Sequence, residues 1–283
     1  MTLIAVAADK GAPGVTTACL ALTLVWPRAV LLAECDPAGG DLVYRLPGAR
    51  GGQLDPGRGL LSFAVAARRG PSPGQVLEHA QKLRGGLDVL VGVVTAEQGT
   101  GLEPLWGPVG AALAALPDCD VIADCGRIGP EGPHYDLLAY ASSVVLVTRA
   151  SLEEVVRLRE RIAAVTGALA LRHRQGIPVS VVVVADHRRF HAALTETGQA
   201  LGRGGAARVI GGLAYEPKSA EALGGEQNGR LGRSLLLRTA RDLTGRLLLV
   251  PQPVGPAGAA GPGHRSPRRC APAAVPPLPA RRG

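Results

Sequence analysis

Seven short apolar runs recur along this chain, at Leu3–Ala8, Ala29–Glu34, Leu87–Val91, Val121–Asp124, Ser143–Thr148, Val179–Ala185 and Val209–Ala214. Between them lie stretches of helical pattern, at Thr16–Trp26, Leu60–Arg69, Gly74–Leu83, Leu102–Leu116, Leu152–Thr166, His191–Gly202 and Ser234–Leu249. A strand covered on both faces is apolar throughout rather than alternating, and strands that alternate with helices build parallel sheets. The expected fold is therefore α/β: a doubly wound, mostly parallel sheet of about seven strands with helices on both faces. A chain of 283 residues, 46% apolar, is long enough for one such core. Aromatic residues are only 3%, so that core must be built from Val, Leu and Ala. Ligands of such folds collect beyond the carboxyl ends of the strands, and the Gly/Arg/Pro stretch Pro47–Gly59 reads as a long loop near that edge.

The first strand runs into Asp9-Lys10-Gly11-Ala12-Pro13-Gly14-Val15-Thr16-Thr17 and then into a Gly-free helix. A Gly-containing loop ahead of a helix N-terminus offers unpaired N–H groups and a favourable dipole to an anion, which makes it a phosphate site. The usual P-loop pattern places Lys just before its Ser/Thr; Val15 stands there instead. Lys10 through Thr17 are thus the candidate nucleotide-contacting residues. Two further loops carry acids where such a site needs them. The second strand ends in Glu34-Cys35-Asp36-Pro37-Ala38-Gly39-Gly40-Asp41, and the fourth runs into Asp124-Cys125-Gly126. Carboxylates at strand tips suit a magnesium ion or an attacking water, so Thr16, Asp36 and Asp124 form the candidate metal set.

In order and spacing these segments resemble the ParA/MinD family of deviant Walker ATPases, over residues 1 to about 249. The family loop reads K-G-G-x-G-K-T-T, matched by Lys10, Gly11, Gly14, Thr16 and Thr17. Its D-x-D-P-x-G is matched by Glu34, Asp36, Pro37 and Gly39, with Glu for the first Asp, and its Walker B acid aligns with Asp124. The resemblance implies a P-loop fold, ATP and Mg²⁺ as cofactors, and a homodimer in which Lys10 reaches the partner's phosphates. It further implies that Thr16 ligates magnesium, Thr17 contacts the α-phosphate, Asp36 positions water, and Asp124 supports the metal. A protein partner in a partition, secretion or pilus system follows, with the TadZ/CpaE-like branch the most similar in its eroded loop. Asp186 stands where relatives have an Asn that reads the base. The departures predict weak binding and little hydrolysis: Val15 removes a phosphate-bridging cation, Ala12 replaces a glycine, and Pro13 lacks an N–H.

The net charge is +8, but five Arg and no acid lie in Pro251–Gly283. Removing those five from 31 basic residues leaves 26 against 23 acids, so the tail is the basic element. Residues 1–250 read as one domain and 251–283 as a disordered Pro/Arg-rich tail. Only Lys10, Lys82 and Lys218 are lysines, and this Arg bias reads as an actinobacterial-type, high-GC background. With Arg230, Arg233, Arg238, Arg241 and Arg246 in or near the last helix, the tail offers a nonspecific DNA or anionic-membrane contact; a solvated basic face is the plainer alternative. No run reaches the roughly 18 apolar residues of a membrane span, and the N-terminus lacks a basic leader region, so a cytoplasmic protein, peripheral at membrane or nucleoid, is expected. Cys19, Cys35, Cys119, Cys125 and Cys270 lack metal spacing and read as core thiols. His187 and His191 read as a solvated pair. Three other readings stay open: a nucleotide-independent scaffold of the same fold, a tail-driven DNA-binding protein, and a dinucleotide oxidoreductase. The last rests on Glu34, 20 residues past Gly14, and lacks G-x-G-x-x-G.

Overall fold

A computed structural model describes residues 1–10, 14–68, 72–129, 132–172, 174, 176–202, 205–224, 231–251 and 270. Its first half runs β1 (Leu3–Ala8), α1 (Val15–Val25), β2 (Val30–Glu34), α2 (Leu42–Arg45), α3 (Leu60–Ala67), α4 (Pro73–His79), β3 (Gln81–Lys82), β4 (Asp88–Leu90), α5 (Ala96–Gly101), α6 (Trp106–Ala114) and β5 (Asp120–Arg127). The second half runs α7 (His134–Leu138), β6 (Ser143–Arg149), α8 (Leu152–Leu171), β7 (Val179–Ala185), α9 (Phe190–Leu201), β8 (Ala207–Ala214), α10 (Pro217–Leu223) and α11 (Leu235–Leu248).

The strands form one eight-stranded sheet in the order β3-β4-β2-β5-β1-β6-β7-β8. All pairings are parallel except β3 against β4 at the edge. The seven apolar runs are all strands. The eighth is the two-residue β3, which falls inside the stretch Gly74–Leu83 expected to be helical. The helix there stops at His79, because Ala80 is extended and Gln81 pairs with Val89. The loop after α2 corrects a second expectation. Most of Pro47–Gly59 packs at the amino end of β4, where Ala49 N–H donates to the Lys82 carbonyl and Arg84 N–H to that of Pro47. Only Gly59 comes to the carboxyl end, placed so that Leu60 N–H reaches the Val91 carbonyl at 2.7 Å.

Alternate residues of each strand serve opposite faces. Leu3, Ala5 and Ala7 of β1 join a core with Phe63, Trp106, Leu113 and Leu158 of α3, α6 and α8. Ile4, Val6 and Ala8 join a core with Leu20 and Leu22 of α1 and Leu237 and Leu243 of α11. At the amino edge Asp120 ties three elements together, accepting from Thr2 N–H, Trp26 Nε1 and, at 2.7 Å, Arg28 Nε. The reading of five core thiols is corrected in part. Cys19, Cys35 and Cys125 are buried and free, whereas Cys119, just before β5, is joined to Cys270, 151 residues away. A pairing across that separation leaves no trace in local spacing. Apart from Pro251 and Cys270, the expected tail 251–283 lies outside the described residues, as do Gly11, Ala12, Pro13 and Arg230. No helix among the described residues is long and apolar enough to cross a membrane.

Candidate functional site

The carboxyl ends of β1, β2, β5, β6, β7 and β8 open on one edge, and the expected site residues stand there. Of the phosphate loop, Lys10 is exposed and Gly14 caps α1 in the left-handed conformation at φ 94°. That backbone is one a glycine adopts without penalty. No acid and no capping side chain occupies the first turn of α1, so its N–H groups stay available to an anion. Thr16 and Thr17 are half-buried, while Val15 is 7% exposed and packs in the core. The other end of the loop is fixed by Asp9, whose carboxylate receives Arg161 of α8 at 2.6 Å.

Thr16, Asp36 and Asp124 are brought together. β2 and β5 are neighbours, with Glu34 opposite Asp124, and Cys35 N–H donates to the Asp124 carbonyl at 2.7 Å. Asp124 is 2% exposed. Its carboxylate accepts a hydrogen bond from Gly126 N–H at 3.0 Å, and the nearby Thr16 hydroxyl also favours its charged form. Burial pushes its pKa up to about 6, against the opposing pull of those two donors. Asp36 accepts from Ala38 N–H at 2.8 Å, and its carboxylate rests on Gly126, which has φ +58° and no room for a Cβ. Burial raises the Asp36 pKa, while the Ala38 N–H and then the Arg127 guanidinium hold it down.

Glu34 has a role that the sequence alone leaves hidden. It is 3% exposed, and its carboxylate accepts from Leu42 N–H at 3.1 Å and Gly92 N–H at 2.8 Å. It thus ties the far end of the Asp36–Asp41 loop to the chain leaving β4, and burial raises its pKa to about 7. Gly40 and Gly92 are glycines because Glu34 lies against both. Only the glycine pair in Asp36-Pro37-Ala38-Gly39-Gly40 hints at so close an approach.

Two cavities adjoin these residues. One of about 280 Å³ lies beyond Asp36, lined among others by Thr100, Glu103, Arg127 and His134. The second, about 80 Å³, is shared by Gly14 and Thr17 with Arg149, Val184, Tyr215 and Pro217. The Arg149 guanidinium stacks 5.5 Å from the Tyr215 ring centroid. Asp186 and His187 are exposed beyond β7, with Asp186 capping Arg188 N–H, and neither lines this cavity. On α11, Leu236, Leu237 and Leu243 face the core, and Arg238, Arg241 and Arg246 are exposed, as is Arg233 ahead of the helix.

Chemically, the edge offers hard oxygen donors and backbone N–H groups. Such donors fit magnesium, which keeps most of its waters and takes few protein ligands. Among the described residues no three acidic, His or Cys side chains converge on one metal position. A cation here would therefore rest on Thr16, the two carboxylates, phosphate oxygens and water. The loop fits phosphate through its helix end and lacks the side-chain cation, because Val15 is turned into the core.

No protein-family model matches the chain, and no curated protein matches it in sequence. Solved structures do match in fold. A ParA-family ATPase from Chlorobium tepidum superposes with a TM-score of 0.61 at 17% identity, over 86% of this chain and 98% of that one. Apo McdA of Cyanothece gives 0.66 at 16%, over 87% and 99%. MinD of Pyrococcus horikoshii, complexed with Mg-ADP, gives 0.61 at 15%, over 87% and 95%. The element order, the sheet and these superpositions agree: the chain has the P-loop NTPase fold of the ParA and MinD ATPases.

Proposed function

We propose that this protein is a ParA/MinD-type positioning switch that binds Mg-ATP, dimerises when loaded and hydrolyses slowly or not at all. The observation that carries the reading is the placement of the Thr16 hydroxyl, at the N-terminus of a helix with no side-chain cap, beside the buried Asp124 carboxylate, with Asp36 on the adjoining loop. Bound there, magnesium would neutralise phosphate charge. Thr16 would hold it directly, Asp124 through water, and Asp36 would orient the attacking water. Thr17 and the N–H groups of the first turn would take the inner phosphates. Lys10, exposed at the end of β1, is free to reach the phosphates of a second copy. With Val15 in place of the cation that bridges the outer phosphates, the developing charge in the transition state goes unmatched, so hydrolysis suffers more than binding. The output would be the placement of a partner, such as a DNA locus or a pilus or secretion machine, from a cytoplasmic protein held at nucleoid or membrane by its Arg-rich C-terminal helix and tail.

A second reading, a nucleotide-independent scaffold, is favoured by one observation: Val15 is built into the core rather than merely tolerated. One experiment separates the two. The full chain is melted with and without Mg-ATP, and its mass is measured by light scattering under both conditions. A raised Tm with dimer formation supports the switch. An unchanged Tm and mass would leave the scaffold standing.

A further inference from the structure

The loop has lost its cation, but the edge around it has not. Of the described residues lining the cavity that opens on Gly14 and Thr17, Arg149 is the only one with a positive charge. It is the last residue of β6, and β6 lies directly beside β1. Its backbone is fixed, with Arg149 N–H donating to Glu154 Oε2 at 2.7 Å. Its side chain is exposed, and among the described residues the guanidinium meets no carboxylate. It stands instead over the face of Tyr215, at 5.5 Å. The carboxylate of the same cavity, Glu216, is engaged elsewhere, accepting from Leu236 N–H at the start of α11 at 3.1 Å. A guanidinium presents a planar fork that pairs with phosphate oxygens bidentately, and it exchanges an aromatic face for an anion readily because it is weakly hydrated.

We infer that Arg149 supplies from β6 the phosphate-binding cation that the loop lacks at Val15, and that it does so by leaving Tyr215. The inference rests on the nucleotide reading above and adds to it a residue and an order of events. With Arg149 on Tyr215 the cavity measures about 80 Å³, well under the roughly 300 Å³ at which small-molecule pockets begin. Entry of a nucleotide therefore requires the stack to open. As it opens, the guanidinium swings toward the phosphates at Gly14 and Thr17, and the Tyr215 face, now bare, is offered to the base. The cation that binds phosphate and the plug that closes the base site are then one side chain. The ligand is a nucleoside di- or triphosphate; a nucleoside without phosphates gives Arg149 no reason to move.

The test is titration of full-length wild type, Arg149→Ala and Arg149→Lys with Mg-ATP, Mg-ADP and adenosine. Arg149 is exposed, so all three proteins are expected to melt alike, which calorimetry checks. The inference expects Arg149→Ala to bind Mg-ATP at least about tenfold more weakly, the loss of one charged hydrogen-bonding group, with adenosine binding unchanged or stronger and Arg149→Lys in between. Equal Mg-ATP affinity in wild type and Arg149→Ala overturns the inference and leaves the nucleotide reading intact. Equal weakening toward Mg-ATP and adenosine also overturns it, since Arg149 would then act on the base alone. Absence of Mg-ATP binding by the wild type overturns the reading and the inference together.

Discussion

Asp9 and Arg161 meet at 2.6 Å, which clamps the end of β1 to the middle of α8 across 152 residues of sequence. Both side chains are largely buried, at 17% and 13% exposure, so removing Arg161 leaves Asp9 with only the more exposed Arg157, at 4.0 Å. Arg161→Ala is expected to cost about 2 kcal/mol in urea unfolding, and the double variant with Asp9→Asn less than the sum of the two singles. If the clamp also sets the phosphate loop, Arg161→Ala weakens Mg-ATP binding as well, although Arg161 lies outside the loop.

Asp36 depends on Gly126 having no side chain. A Cβ at that position would occupy the place of the Asp36 carboxylate, and φ +58° adds backbone strain to any replacement. Gly126→Ala should therefore fold less stably by about 1–2 kcal/mol and displace Asp36. The expected signature is loss of turnover beyond that of Asp36→Ala, read in the Val15→Lys background, where turnover is expected to be measurable.

Glu34 makes stability depend on pH in an unusual direction. Burial raises its pKa to about 7 from 4.5, so between those values the folded chain holds a proton that the unfolded chain has released. Stability from this group is complete below pH 4.5 and is lost as pH rises toward 7, by on the order of 3 kcal/mol. Wild type minus Glu34→Gln, measured by urea midpoints at about pH 5 and pH 7.5, on either side of most of that loss, should shrink as pH rises. A difference that grows with pH would contradict the burial argument.

Six of the eight strands, of five to eight residues, are legible in the sequence because each falls on one of the short apolar runs. The run at Leu87–Val91 is equally plain, although only Asp88–Leu90 of it joins the ladder as β4. Val15 is legible as a departure, and its consequence is not: only the packed core shows the side chain turned inward. Glu34 matches a motif, but its role depends on Gly92, 58 residues on, and no local pattern announces such a bond. Arg149 and Tyr215 lie at two strand ends separated by β7, so their stack comes from the sheet order alone. The short helices α2, α5, α7 and α10, of four to seven residues, carry too little sequence for a period of about 3.6 to register.

His134 titrates with the opposite sign. It is 6% exposed, and burial lowers its pKa from 6.5 to about 4. As pH falls below 6.5 the unfolded chain takes up a proton that the folded chain refuses until about pH 4. The stability present above pH 6.5 is thus lost on the way down, by on the order of 3 kcal/mol. Because Glu34 gains what His134 loses over nearly the same range, wild-type stability should be almost flat between pH 4.5 and 6.5 with respect to this pair. In urea titrations across that range, His134→Gln should then become more stable on acidification and Glu34→Gln less stable, each relative to wild type.

Val15→Lys tests whether the rest of the site is intact. Val15 is 7% exposed and packs in the core, so its replacement forfeits apolar burial, about 1–2 kcal/mol in the absence of ligand. In return a Lys at that position gains charged hydrogen bonds to the outer phosphates, worth roughly 1.5–3 kcal/mol. The variant should therefore melt lower than wild type without nucleotide, bind Mg-ATP about tenfold to a hundredfold more tightly, and turn it over measurably. Both shifts are read on one protein, by calorimetry with and without Mg-ATP and by phosphate release. A lower Tm with no gain in affinity would mean that the site lacks more than the lysine, with Ala12 and Pro13 the first replacements to reverse.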